Sequence, residues 1–235
     1  MSLMVDAGLS AAILDNARWC HLVCATHGIA GTFDEDAWVS GTRTPPMYPD
    51  AVTLTDDVSA EALLGRLDTG PGCSIKDSFS TLDLAPAGFK VLFDARWLWR
   101  AAGPPTASAE RWERVERPDD LAAWSREHGG GSTFSAALLD DRSVTILAAR
   151  DRGRRLMAGA VATEGESAVG ISNVFGVGAT ASFAEAFASA TAAIVERFPD
   201  RPVVGYLSMD RLGAAHDAGF ETTGPLRVWL LEGDG

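Results

Sequence analysis

Few side chains in this chain combine the type and the spacing that chemistry needs. Cys20, Cys24 and His27 fall at i, i+4 and i+7 of one helical stripe, a spacing that metal ligands use. A fourth ligand and the paired spacings of zinc modules are missing, so the stripe reads as thiols on a core face and no metal site is expected. Arg150, Arg152, Arg154 and Arg155 form the one basic cluster, on a polar turn between two apolar runs, where arginines are ordinarily solvated. Three positions carry groups that move protons. His216 has a suitable intrinsic pKa, Tyr206 brings a phenol to an apolar strand, and Glu164, with Glu166, puts carboxylates at the end of another. Each has a plain alternative: a solvated helix face, strand packing and a charged hairpin turn.

Those residues need elements to position them. Leu9 to His27 has Ile13, Ala17, Cys20 and Cys24 at helical spacing, with Gly28 where a helix would stop. Gly31 to Pro49 is rich in turn formers and reads as a loop or arm; Ala51 to Leu54 is a short strand, Val58 to Leu67 a short helix, and Phe89 to Trp99 a strongly apolar strand. Ala101 to Ala109 is the best linker, which divides the chain into residues 1–103 and 104–235. Beyond it come a strand at Trp112 to Val115, a helix from Arg117-Pro118 to His128, and strands at Val144–Arg150, Leu156–Thr163 and Val169–Phe175. Ser182-Phe183-Ala184-Glu185 is a capping box that opens a helix reaching Phe198. A strand at Val203–Ser208, a short helix at Asp210–Ala218 and a strand at Arg227–Leu231 close the chain.

Composition excludes several partners. The 235 residues are 46% hydrophobic, enough for a sizeable core. Twenty basic against 32 acidic side chains leave a charge of −12, which repels nucleic acid and anionic bilayers. No run approaches the roughly 18 apolar residues of a membrane span, and three cysteines make no disulfide framework, so the expected setting is a reducing cytoplasm.

A faint internal repeat is also visible: Ala87-Gly88-Phe89 followed by Trp97-Leu98 echoes Ala218-Gly219-Phe220 followed by Trp229-Leu230. The first hundred residues could thus be a truncated copy of the fold formed by the rest of the chain.

From about Arg111 to Leu231 the order strand, helix, three antiparallel strands, long helix, strand, short helix ending in Gly-Phe, strand resembles the acyl-CoA N-acyltransferase (GNAT) superfamily. The resemblance implies an α/β (α+β) fold with a mixed, mainly antiparallel sheet flanked by helices. It implies acetyl-CoA or another acyl-CoA as cofactor and a small-molecule amine as acceptor. The cofactor would lie along Val174, Phe175, Gly176, Val177, Gly178, Ala179 and Thr180, where splayed strands and a helix N-terminus offer backbone groups. Glu164 would be placed for a base, and Tyr206 or His216 for an acid.

The chain departs from the family pattern at two points. Its glycines precede the usual register of the phosphate loop, and Ala215 stands where the family often has a tyrosine. No Arg or Lys lies between Arg155 and Arg197, so nothing local in sequence supplements the loop amides, and weak phosphate affinity is expected. The second reading is therefore a protein of the same fold that binds small molecules or partners without catalysis.

Overall fold

The computed structural model describes residues 2–104, 111–178 and 182–233, with the side chains of the first helix described from residue 7 onward. The chain runs α1 (Ser2–Thr26), β1 (Gly31–Phe33), β2 (Ala37–Ser40), β3 (Ala51–Thr53), α2 (Ala60–Leu64), β4 (Ser74–Asp77) and β5 (Lys90–Arg100). It continues with β6 (Arg111–Arg114), α3 (Pro118–His128), β7 (Val144–Arg150), β8 (Leu156–Glu164) and β9 (Val169–Gly176). The last elements are α4 (Phe183–Arg197), β10 (Val203–Ser208), α5 (Leu212–Asp217) and β11 (Glu221–Leu230).

All strands belong to one sheet, in the order β1-β2-β3-β4-β11-β5-β10-β9-β8-β7-β6. Its pairs are antiparallel except β3 with β4 and β9 with β10. This order reads almost the same from either side of the β11–β5 pair. A helix, a three-strand meander, a helix, a strand parallel to the meander's last member and a final strand occur in each half. The final strands are exchanged: β5 of the first half pairs with β10, and β11 of the second pairs with β4. The echo at Gly88-Phe89 and Gly219-Phe220 marks the start of these two strands. Both glycines have left-handed backbone (φ 86° and 83°) and both phenylalanines are buried.

Packing follows the expected stripes. On α1, Ile13, Ala17, Cys20 and Cys24 are all buried, and the helix lies against β5, β10 and β11. On α4, the Ser182 hydroxyl accepts from the Glu185 amide while the Glu185 carboxylate accepts from the Ser182 amide, closing the capping box. Phe187, Ala190 and Ile194 of that helix pack on Leu147, Ala160, Ile171 and Val203 of the sheet.

Three segments differ from the sequence expectation. The arm at Gly31 to Pro49 contains β1 and β2, because Trp38 and Val39 gain a buried place in the sheet that outweighs the surrounding turn formers. The strand β4 was not expected at all: Ser74, Ile75, Lys76 and Asp77 show no apolar alternation, yet Ile75, Lys76 and Asp77 are buried. The closing strand starts at Glu221 instead of Arg227, since a bulge between Thr222 and Gly224 accommodates Pro225 within a paired strand.

Candidate functional site

The parallel strands β9 and β10 are in register only at Val169 with Val203 and Gly170 with Val204. Beyond that point they part. Close approach at the fork requires glycine at 205, where a Cβ would lie 2.7 Å from the Ile171 carbonyl oxygen. On its other side β9 carries a bulge, with a register shift between Gly159 and Val161 of β8, and Asn173 adopts left-handed backbone (φ 52°). The result is a stretch from Ile171 to Val174 with no strand partner on the β10 side.

The fork opens a cleft of about 480 Å³ that reaches both faces of the sheet. On the α4 face it is bounded by Phe183, Phe187, Leu207 and Arg211; on the α1 face by Asn16, Trp19, Tyr48, Lys76 and Tyr206. Side-chain alternation along β10 explains this, because Leu207 packs with Phe187 while Tyr206 packs with Trp97 and Val204.

The α1 face holds a polar group in an apolar wall. The Lys76 ammonium donates to Asn16 Oδ1 at 2.9 Å and lies 4.5 Å from the centre of the Tyr206 ring. Burial works to lower its pKa, but the Tyr206 hydroxyl and the Cys20 thiol more than offset this, so the ammonium stays above its ordinary value. The Tyr48 hydroxyl is buried and in reach of the Trp19 and Asn173 side chains, without a well-formed hydrogen bond among the described residues, and burial raises its pKa well above the usual tyrosine range.

The α4 face holds a cation that sequence order hides. Arg211, from the turn before α5, places its guanidinium 4.3 Å from the centre of the Phe183 ring, at the first turn of α4. Local sequence suggested that nothing supplements the amides there; the fold brings a basic side chain from the next loop.

The residues singled out from sequence are dispersed. Tyr206 and Val174 line the cleft. Phe175 turns to the opposite side, meeting Trp124 edge-on at 4.9 Å. Gly176 pairs with Ala158, and the Val177 amide donates to the Met157 carbonyl at 2.7 Å, so that amide is committed to the sheet. Gly178 is exposed with left-handed backbone (φ 85°), while Ala179 and Thr180 lie outside the described residues. Glu164 is exposed and borders a separate cavity of about 200 Å³ with Asp15, Arg18 and His21. There the Thr163 hydroxyl donates to Asp15 Oδ1 at 2.8 Å. Burial pushes the Asp15 carboxyl up to about 7, against that hydrogen bond and the Arg18 charge.

His216 is exposed on α5, and the neighbouring Ala215 is fully buried. Cys20 and Cys24 are buried free thiols, and His27 Nε2 lies 2.9 Å from the Thr133 carbonyl oxygen; among the described residues no three of His, Cys, Asp or Glu converge. Asn16, Tyr48, Lys76 and Arg211 were missed; the one signal available was rarity, Lys76 being one of two lysines and Tyr48 one of two tyrosines in the chain.

No family model matches the chain, and no curated protein matches it in sequence. Solved structures do. A GCN5-related N-acetyltransferase from Kribbella flavida superposes with a TM-score of 0.64 at 13% identity, over 95% of this chain and 96% of that one. A protein assigned to the GNAT family of acetyltransferases, from Novosphingobium aromaticivorans, gives 0.58 at 16% identity over 95% and 99%. A conserved protein of unknown function from Staphylococcus epidermidis gives 0.57 at 12% identity over 86% and 93%. The chain therefore has the fold of the GNAT superfamily along nearly its whole length, including the first hundred residues.

Proposed function

We propose that this protein is an acyl-CoA-dependent N-acyltransferase that transfers an acetyl or other acyl group to a small-molecule amine. One observation carries the reading: the fork of β9 and β10 opens a cleft through the sheet, with the first turn of α4 at one mouth and a polar, aromatic-walled pocket at the other. Such a passage lets a long donor enter from one face and an acceptor from the other, so that the reacting atoms meet at the fork.

The residues present fit a CoA ester. The unpaired backbone of Ile171 to Val174 can take an extended pantetheine arm as a further strand, and Arg211 can pair with a phosphate. Bound there, an acyl-CoA supplies an activated thioester carbonyl. Of Glu164, Tyr206 and His216, Tyr206 lines the cleft, and its hydroxyl is assigned as the donor that protonates the departing thiolate sulfur, regaining its proton from solvent. The acceptor amine loses its proton to water at the open α1-face mouth. Glu164 and His216 stand outside the cleft and take no part in this scheme.

A second reading, binding without turnover, is favoured by two specific commitments. The Ser182 amide is taken by the Glu185 carboxylate at 3.1 Å and the Val177 amide by Met157, which leaves fewer amides for a pyrophosphate. Calorimetry with acetyl-CoA, paired with thiol release over a panel of amines, separates the two. The enzyme reading expects a Kd below about 100 μM, about −5.5 kcal/mol, together with amine-dependent thiol release. Binding without release leaves the second reading; no heat at millimolar acetyl-CoA sinks the first.

A further inference from the structure

Lys76 is a buried charge without a counter-charge. It is 6% exposed, and among the described residues its partners are the Asn16 amide oxygen and the Tyr206 side chain, ring and hydroxyl, with no carboxylate in an ion pair. An ammonium has three donors and no acceptor, and neighbours that supply an amide oxygen and a phenol leave it donor capacity for a ligand. The repeat of the fold does not call for a charge at this position: its counterpart in the second half, the second pair of the parallel β9–β10 ladder, is the apolar Val204. The same cavity is lined by Tyr48, whose buried hydroxyl is in reach of the Trp19 and Asn173 side chains but among the described residues makes no well-formed hydrogen bond. One cation and one hydroxyl with hydrogen-bonding capacity to spare, both lining the α1 side of this cavity, suit the oxygens of a monoanion. A phosphate dianion would draw more than a single cation, and the chain's charge of −12 works against multiply charged anions.

We infer that Lys76 and Tyr48 form a carboxylate-binding subsite, so that the acceptor is a carboxylate-bearing amine of the free amino-acid type, its acid group held on the α1 face and its nitrogen turned towards the fork. The walls supplied by Trp19 and Phe93 suit an apolar body on that acid. This assignment of the acceptor rests on the acyltransferase reading; the anion subsite itself rests only on Lys76 and Tyr48.

The test is calorimetric binding of N-acetyl amino acids, here the phenylalanine, leucine and glycine derivatives, each against its C-terminal amide. The wild type is expected to bind at least one acid about tenfold or more tightly than its amide. Lys76→Met should erase the difference, and Tyr48→Phe should reduce it about threefold. Equal binding of acids and amides, absence of binding by all three acids, or a preference that survives Lys76→Met overturns the inference. Should Lys76→Met fail to melt cooperatively, Tyr48→Phe decides alone, and an unchanged preference there is likewise an overturning result. The two proposals fail separately. Acetyl-CoA binding without any preference for acids removes the subsite and leaves the acyltransferase reading. A preference for acids without acetyl-CoA binding does the reverse.

Discussion

Tyr206 on β10 lies directly across from Trp97 on β5, and their rings meet edge-on at 5.6 Å. Tyr206 is therefore held at the cleft by a strand from the first half of the chain. Trp97 is itself fixed, fully buried with its indole N–H donating to the Ser78 carbonyl at 2.8 Å. Replacing Trp97 by Ala should cost about 3–5 kcal/mol. A fragment beginning near Thr106 lacks β5 altogether, leaving the facing edges of β10 and β11 unpaired. It is expected to be insoluble or to melt without cooperativity, and a soluble, cooperatively melting monomer would show that residues 104–235 stand alone.

Much of the second half was legible because its signals are local. The capping box at Ser182–Glu185, the apolar runs around Ile146, Val161 and Ile171, and the Gly219-Phe220 step each announce an element within a few residues. The site was legible only where it coincides with such an element, as at Tyr206 and Val174. Lys76 sits in a short strand whose partners β3 and β11, and whose contact Asn16 on α1, all come from distant parts of the chain, and Arg211 reaches Phe183 across a loop. Nothing within several residues of either reveals those neighbours. The insertion of β5 between β10 and β11 is likewise a matter of strand order, which periodicity does not encode.

Asp15 offers a pH dependence whose sign can be worked out. Its carboxyl ionises near 3.8 in the unfolded chain and at about 7 when folded, because burial disfavours the charge. Below pH 4 both states hold the proton and nothing is lost. Between about 4 and 7 the unfolded state ionises first, so stability falls as pH rises and stays reduced above 7. Asp15→Asn keeps an acceptor for the Thr163 hydroxyl and removes the charge. The variant should be more stable than wild type by about 1–3 kcal/mol at pH 8 and equal to it at pH 4. Urea unfolding at the two pH values checks this; a variant less stable at pH 8 would mean that Asp15 is ionised and usefully paired with Arg18.

The arginines of the β7–β8 hairpin should separate by burial. Arg150, with its side chain 16% exposed, contacts Glu113 at 2.7 Å and Asp120 at 3.0 Å. Arg154, 75% exposed, meets Glu113 from outside at 3.2 Å. Arg152→Ser with Arg154→Ser should change stability by no more than about 0.5 kcal/mol, whereas Arg150→Ala, which removes the partner of Asp120 and the inner of two partners of Glu113, should cost about 1–2 kcal/mol. Thermal melts of the two variants decide; a double serine variant that loses several kcal/mol would place those side chains in buried pairs.

Gly178 separates turn geometry from ligand binding. Its φ of 85° disfavours any side chain, yet a Cβ built there meets no atom of the described residues within 4 Å. Gly178→Val should therefore lower stability by about 1–2 kcal/mol through backbone strain, without a steric clash. If acyl-CoA phosphates pass over this turn towards Arg211, the added side chain occupies the ligand's space, and acetyl-CoA binding should fall by far more than the stability. Arg211→Ala then gives an independent measure: a half-exposed guanidinium paired with a phosphate contributes about 0.7–1.4 kcal/mol, a three- to tenfold loss in affinity, with the melting temperature nearly unchanged. A Gly178→Val protein that binds acetyl-CoA like wild type would mean that the ligand does not cross the turn, and that Gly178 serves only to lead β9 into the capped helix.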